Sequence, residues 1–167
     1  MATFRRSVLV SILFTVFGGP GVILVLLPYL LTGLYVPSSE PIWWRAAAGA
    51  LILVGLVPLL ESIVRFVRVG RGTLMPTVPT ERLVVSGLYR YVRNPMYVGD
   101  VMVLLGEAVL LRSYLMVLYM AFIWEVLNAF VCKYEEPTLL RRHGSEYAEY
   151  CERVGRWWPR SRPHSGA

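Results

Sequence analysis

Residues 87–99 read Gly-Leu-Tyr-Arg-Tyr-Val-Arg-Asn-Pro-Met-Tyr-Val-Gly and combine side chains that can bind an anion. Asn94 followed by Pro95 predicts a helix start, because asparagine is a good N-cap and proline fits the first helical position. Arg93 then lies on a loop at the positive end of that helix, and Tyr97 faces the same end. This combination predicts an anion or nucleotide site, whereas the alternative is a basic loop ahead of a membrane helix.

A second group of polar side chains follows the last apolar run of the chain. Glu135 and Glu136 come where this run ends, and acidic residues near a membrane are functional candidates unless neighbouring arginines simply pair with them. Tyr147, Tyr150 and Val154 are spaced three and then four residues apart, which predicts one helical face.

The composition is that of an integral membrane protein. The chain has 167 residues, enough for one domain, and 56% of them are hydrophobic, with a mean hydropathy of +0.53. The net charge of +6 is typical of topology signals and anionic lipid contacts rather than of nucleic-acid binding. Cys132 and Cys151 show no metal or redox spacing, so we expect free thiols and no metal site.

Four apolar runs predict an all-α membrane fold with transmembrane helices at about residues 8–31, 46–64, 95–111 and 114–131. The last two runs are separated only by Arg112 and Ser113, which predicts a helical hairpin. Residues 18–21, Gly-Gly-Pro-Gly, predict a kink or break in the first helix, and a signal peptide is the alternative for that run. A polar segment of helical pattern, residues 133–159, and a disordered tail, residues 160–167, complete the single domain.

Polar connections separate the first three apolar runs. Residues 32–44 contain two prolines and the pair Trp43-Trp44, which predicts a loop closed by interfacial aromatic residues. Residues 68–93 contain glycines and prolines and predict a loop, with a short helix beginning at Thr80.

The basic residues predict the orientation in the membrane. With four spans, both termini lie on one side, and of the 17 Lys and Arg only Arg45 and Arg112 fall on the other side, leaving fifteen on the first. The positive-inside rule predicts that the first side is cytosolic, and we expect a bacterial inner membrane. The two polar groups then meet on the cytosolic face, joined by the hairpin.

Together, the two groups resemble the isoprenylcysteine carboxyl methyltransferase family, with its phospholipid methyltransferase relatives, in the form of a small bacterial-type member. The family pattern is Gly-x-Tyr, Arg-His-Pro-x-Tyr-x-Gly, a helical hairpin, Glu-Glu-x-x-Leu and Phe-Gly-x-x-Tyr-x-x-Tyr, then Val and Pro. The matching positions cover about the last half of the chain and are Gly87, Tyr89, Arg93, Asn94, Pro95, Tyr97, Gly99, Glu135, Glu136, Leu139, His143, Gly144, Tyr147, Tyr150, Val154 and Pro159. Asn94 replaces the usual His, His143 replaces Phe, and Val131 replaces a frequent Arg, so the resemblance defines the acceptor less well than the cofactor.

The resemblance implies a methyltransferase that uses S-adenosyl-L-methionine, held on the cytosolic side by the hairpin and the C-terminal segment. It implies cofactor contacts from Tyr89, Asn94, Pro95, Tyr97, Gly99, Glu135, Glu136, His143, Tyr147 and Tyr150. The side-chain chemistry suits this cofactor, because carboxylates can accept hydrogen bonds from its ribose or amino group and tyrosine rings can stack on adenine or face the sulfonium. The helix end at Asn94 can receive the cofactor carboxylate.

The resemblance also implies a lipophilic methyl acceptor that reaches the site sideways from the bilayer. Arg93 can hold an anionic acceptor with two parallel hydrogen bonds. If the acceptor is an amine or a thiol, a base is needed, and Glu125 or Asp100 is the candidate; the alternative for both is a polar contact inside the helix packing. Arg93 and Glu125 are therefore the catalytic candidates.

Two other functions stay open at this point. Membrane steroid and sterol reductases have a comparable C-terminal pattern but use a nicotinamide cofactor, and the Arg-Asn-Pro-Met-Tyr stretch with the Glu-Glu pair argues against them. A small four-helix exporter would work through Glu61, Glu107 or Glu125 and would leave the polar third of the chain without a role. Glu61 and Arg65, four residues apart, favour an i,i+4 ion pair.

Overall fold

The computed structural model describes Leu13, residues 18–68 and residues 83–160, and this part of the chain is mostly helical. Wider π-turns at Val22–Leu26 and Val131–Glu135 precede two of the helices, and a 3₁₀ turn spans Gly87–Arg90. Within these residues, the isolated β-type pairing is a parallel bridge between Val92 and Gly155. The helices are α1 (Leu27–Thr32), α2 (Ile42–Arg68), α3 (Pro95–Leu111), α4 (Tyr114–Phe130), α5 (Glu136–His143) and α6 (Ser145–Arg153).

The predicted hairpin is formed by α3 and α4, which begin and end within a residue of their predicted bounds. Arg112 adopts the left-handed conformation that ends α3. The Ser113 side chain then accepts a hydrogen bond from the Met116 N–H and caps α4. Local signals therefore determine this turn, which is why its position was predictable.

The start of α2 differs from the prediction. The helix begins at Ile42 and includes Trp43 and Trp44, which the sequence placed in a loop. The indole N–H of Trp44 donates to the Val109 carbonyl of α3 at 2.9 Å, so tertiary contact extends the helix toward Pro41. The two indole rings still meet edge to face, 5.8 Å apart.

The end of the fourth predicted span also differs. The helical run continues from Tyr114 through the π-turn and α5 to His143, without a break at residue 131. Pro137 explains the π-turn, because a proline lacks the N–H of an α-helical bond and its ring needs room beside the preceding turn. Glu135 and Glu136 consequently lie inside a helical run and not beyond its end.

The predicted helical pattern of residues 133–159 is interrupted twice. Gly144, with a φ of +54°, separates α5 from α6, and Val154 begins an extended segment with φ −118° and ψ 130°. At the other end of the chain, Gly18 and Gly19 form a turn, and the helical conformation begins at Pro20, as the Gly-Gly-Pro-Gly sequence predicted. The remainder of the first predicted span, the helix at Thr80 and the tail beyond Arg160 lie outside the described residues.

Two helical runs, Ile42–Arg65 and Tyr114–His143, are long and apolar enough to span a membrane, by length and composition. Their mean hydropathies are 2.2 and 1.9, and only 22% of each apolar stretch is buried, unlike a core helix of a soluble protein. The four-span topology itself stays a prediction. The buried apolar residues that join the π-turn Val22–Leu26 with α2, α3 and α4 are Leu24, Leu59, Val103, Leu104, Ala108, Leu111, Met116, Ile123 and Leu127.

Glycines allow α2 and α3 to approach closely. A Cβ added to Gly55 of α2 would lie 2.8 Å from the Gly99 carbonyl oxygen, and one added to Gly99 would lie 2.6 Å from the Gly55 carbonyl oxygen. Both distances are shorter than a van der Waals contact, so the two backbones are packed directly against each other. This contact holds the N-terminal half of α3, which carries the candidate site, against α2.

Candidate functional site

The site lies where three segments meet at the N-terminal end of α3. These are the loop of residues 87–94, the junction of α4 with α5, and the non-helical segment Val154–Arg160, which we call the strap. Backbone hydrogen bonds hold the strap against the loop. The Arg93 N–H donates to the Gly155 carbonyl oxygen at 2.8 Å, and the Arg160 N–H donates to the Tyr91 carbonyl oxygen at 3.0 Å. The two polar groups identified in the sequence are therefore in direct contact.

Glu136 is the centre of an ion-paired group. Arg156 donates from Nε to Oε1 at 2.8 Å and from Nη2 to Oε2 at 2.7 Å, a forked contact with both carboxylate oxygens. Arg93 Nη1 lies 3.1 Å from the same Oε1. The Arg93 and Glu136 side chains are 12% and 17% exposed, so two guanidiniums share one largely buried carboxylate. The hydrogen bond to Glu136 raises the pKa of Arg156.

Arg93 keeps unused hydrogen-bonding capacity. Its Nη1 also contacts Cys151 Sγ, while its buried Nε has no hydrogen-bond partner among the residues that the structure describes. Buried donors are normally satisfied, so the Arg93 Nε–H is suited to an anionic group of a bound molecule. His143, the last residue of α5, likewise has a buried Nε2 with no partner in the described part of the chain.

Glu135 forms the second acidic contact of the site. The Tyr97 hydroxyl, one turn into α3, donates to Glu135 Oε2 at 3.0 Å. The two adjacent carboxylates are therefore engaged separately: Glu135 with the helix α3, and Glu136 with the two arginines. Pairing with nearby arginines was the alternative considered from sequence. It holds for Glu136, in a partly buried contact, whereas Glu135 pairs with Tyr97.

The three tyrosines outside α3 are packed rather than open. Tyr147 and Tyr150 are each 3% exposed, their ring centroids are 6.1 Å apart, and Val154 packs with them, which confirms the predicted helical face. The Tyr150 hydroxyl donates to the Tyr89 carbonyl at 2.6 Å. Burial raises the pKa of all three phenols well above the ordinary value, so they act as neutral groups. Their contact with a cofactor stays a prediction.

Asn94 and Pro95 begin α3 as predicted, but the Asn94 side chain does not cap it. Its Nδ2 instead donates to the Arg156 carbonyl of the strap at 3.2 Å. Asn94 is only 8% exposed, so its amide needs a partner, and the strap carbonyl supplies one. The prediction of a side-chain cap was wrong, and the amide connects the loop to the strap.

Gly99 and the acidic residues of the helices occupy different surroundings. Gly99 lies at the crossing with Gly55, so helix packing accounts for this glycine, and its cofactor contact stays a prediction.

Glu125 is exposed on α4, beside the exposed Phe122, and is apart from the group around Arg93. Asp100 is 2% exposed within α3, and its Oδ1 has no partner in the residues described. Of the two candidate bases, the structure places Asp100 in the interior.

Sequence reasoning identified Val154 and Pro159 of the strap but missed Arg156 and Trp157. Arg156 had no signal beyond its position between Val154 and Pro159 of the family pattern. Trp157 anchors the strap, because its Nε1 donates to Asn128 Oδ1 at 3.1 Å and its ring lies 4.6 Å from that of Trp124. Asn128 is half-buried on α4 and accepts this bond through its side-chain oxygen.

Comparison with known proteins shows the family to which the chain belongs. No curated protein and no solved structure matches the chain. The family described as phospholipid methyltransferase matches residues 43–146, which is more than half of the chain and includes the hairpin, Arg93, Glu135 and Glu136. Together with the apolar helices, this match indicates a membrane protein, and the chain belongs to the phospholipid methyltransferase family.

Proposed function

We propose that this protein is a membrane methyltransferase that uses S-adenosylmethionine and transfers the methyl group to a lipophilic acceptor from the bilayer, in the manner of isoprenylcysteine carboxyl methyltransferases. One observation carries the proposal: Arg93, Glu135 and Glu136, which come from both blocks of the family pattern, meet in one partly buried group at the end of the hairpin. We place this group on the cytosolic side of a bacterial inner membrane, from the distribution of basic residues.

The side chains present fit the cofactor. S-adenosylmethionine carries a carboxylate, an ammonium, a sulfonium and a ribose diol. The N-terminal end of α3 suits the carboxylate, and the Glu135 carboxylate suits the ammonium or the diol, since it accepts from Tyr97 through one oxygen. The cofactor supplies an electrophilic methyl group when it is bound.

Methyl transfer requires orientation and exclusion of water more than a strong acid. The strap and the packed tyrosines close one side of the site, and Arg93 provides a fixed cation for an anionic group of the acceptor. An acceptor that loses a proton also needs a base, and Asp100 lies one helical turn beyond Tyr97 inside α3. The two other functions considered, a nicotinamide-dependent reductase and an exporter, gain no support from the family match.

Titration calorimetry of the purified protein in detergent tests the proposal. We expect saturable binding of S-adenosylmethionine and of its demethylated product, and no binding of a reduced nicotinamide cofactor. Membranes incubated with the methyl-labelled cofactor should then yield a labelled lipophilic product. A folded sample that binds neither form of the cofactor at millimolar concentration would refute the assignment.

A further inference from the structure

The strap brings Arg156 into contact with the carboxylate of Glu136, a residue that the family resemblance assigned to cofactor binding. An ionised carboxylate has about four lone-pair positions. Arg156 donates to both oxygens of Glu136, and Arg93 Nη1 lies 3.1 Å from Oε1, so both carboxylate oxygens face guanidinium groups. Little of Glu136 remains for a ligand, so its main task in this structure is to hold two guanidiniums.

Arg93 depends on this carboxylate for its orientation. Its side chain is long, and its other polar contact in the described structure is with Cys151. Arg156, by contrast, is fixed from several directions, because its carbonyl accepts from Asn94 and the next residue, Trp157, is hydrogen-bonded to α4. A forked contact between an anchored arginine and Glu136 therefore fixes the carboxylate oxygen that Arg93 shares.

We propose that Arg156 is a positioning residue: acting through Glu136, it fixes Arg93 so that the unpartnered Arg93 Nε–H stays available to an anionic group of a bound molecule. The identity of that group rests on the proposed function, but the coupling from Arg156 to Arg93 does not. The strap thereby becomes a part of the methyl-transfer site, although it lies beyond the Glu-Glu pair by about twenty residues.

Cys151 provides a readout that needs no substrate. Arg93 Nη1 contacts the Cys151 Sγ, where its positive charge stabilises the negative charge that the sulfur carries as it attacks a maleimide. In a Cys132→Ser background, the rate at which N-ethylmaleimide alkylates Cys151 therefore reports whether Arg93 is in place. We expect Arg156→Ala and Glu136→Gln each to slow alkylation by at least about threefold. Alkylation of the double variant should be no slower than that of either single variant, because both substitutions act by releasing the same side chain, Arg93.

Two further experiments distinguish an effect of the position of the Arg156 guanidinium from an effect of its charge alone: the substitution Arg156→Lys and the addition of a free guanidinium compound. Arg156→Lys keeps the charge but cannot hold both carboxylate oxygens, so it should slow alkylation like Arg156→Ala. Ethylguanidinium should restore the rate of Arg156→Ala by occupying the place of the lost guanidinium. Arg141→Ala, which removes an exposed arginine of α5 that bonds only Thr138 in the described contacts, should leave the rate unchanged.

Loosening of the strap is the competing explanation, and Trp157→Phe tests it. This variant loses the hydrogen bond to Asn128 but leaves the arginines and Glu136 in place. A loose strap would expose Cys151 and speed its alkylation, and ethylguanidinium would have no effect. If Arg156→Ala behaves in this way, or alkylates at the rate of the parent protein, the positioning role is wrong.

Turnover with labelled S-adenosylmethionine and extracted membrane lipid distinguishes failure of this inference from failure of the proposed function. Because Arg93 is assigned to the acceptor, Arg156→Lys should lower kcat by about tenfold or more and leave the KM for the cofactor within about threefold. If the parent protein transfers no methyl group while the alkylation rates behave as expected, the proposed function fails and the coupling stands. An unchanged kcat in Arg156→Lys would overturn the role in catalysis.

Discussion

At the residue scale, the site depends on one carboxylate that serves two guanidiniums. Removing the charge of Glu136 leaves Arg93 and Arg156 facing a neutral amide in a largely buried position. Breaking a buried pair of this kind costs about 3–5 kcal/mol, because the remaining charge stays uncompensated. We expect Glu136→Gln to lower the free energy of unfolding by roughly this amount, as measured by reversible unfolding in detergent.

The matched control is Glu149→Gln on α6. Glu149 pairs with Arg153 in the same chemistry, but the two side chains are 56% and 54% exposed. An exposed pair contributes about 0–1 kcal/mol, so this variant should unfold almost like the parent. If both variants lose the same free energy of unfolding, burial of the Glu136 ion pairs does not make them more important for stability than an exposed pair.

Tyr97 and Tyr119 each donate one hydroxyl hydrogen bond, Tyr97 to a carboxylate and Tyr119 to a neutral backbone carbonyl. Removing each hydroxyl compares the two kinds of bond. Tyr97→Phe removes a donor from the Glu135 carboxylate, a loss of about 1.5–3 kcal/mol, whereas Tyr119→Phe removes a donor from the Ile23 carbonyl, a loss of about 0.5–1.5 kcal/mol. Unfolding of both variants measures the difference. Only Tyr97→Phe should also change the affinity for S-adenosylmethionine; if Tyr119→Phe changes it equally, Tyr97 has no particular role in the site.

At the element scale, the position of α3 depends on its close contact with α2. Gly55→Ala places a methyl group 2.8 Å from the Gly99 carbonyl oxygen and the Val103 amide nitrogen, so the helices must separate. Overpacking of this kind costs about 1–3 kcal/mol. Gly49→Ala on the same helix meets nothing within 4 Å and should be neutral or stabilise by up to about 1 kcal/mol, since alanine favours helix.

Thermal unfolding of the two glycine variants is the measurement. Because α3 also carries Tyr97 and begins two residues after Arg93, Gly55→Ala should weaken cofactor binding together with stability. A stable Gly55→Ala protein with normal binding would show that the glycine contact does not position the site.

The elements that sequence predicted correctly are those whose ends have local causes. Asn-Pro begins α3, and Arg112-Ser113 forms the turn to α4, so both bounds could be read from a few neighbouring residues. The errors have distant causes. Asn94 gives up its capping bond for a strap carbonyl 62 residues away, and Trp44 extends α2 through a bond to Val109. Arg156 was missed for the same reason, since its partner Glu136 is reached only after the chain turns at Gly144.

At the scale of the whole molecule, charge and apolar surface are arranged for a membrane. Large exposed apolar side chains cover one face of α2 and of α4, where lipid would satisfy them, while the ion-paired group is gathered at one end of the hairpin. Under the proposed function, such a site would give a soluble cofactor and a lipophilic acceptor access to the same atoms from different phases. The turn at Arg112-Ser113 lies at the opposite end of the hairpin.

This arrangement predicts a definite labelling pattern. Single cysteines replace Glu149 on α6 and Tyr114 at the hairpin turn, whose side chains are exposed, in a background of Cys132→Ser and Cys151→Ser. Because the predicted four-span topology puts fifteen of the 17 basic residues on the side of the termini, we expect a membrane-impermeant maleimide to label the Glu149→Cys variant only in inverted vesicles. The Tyr114→Cys variant should be labelled in intact cells. The opposite pattern would reverse the orientation and place the arginine pair on the outer face, where a cytosolic methyl donor could not reach it.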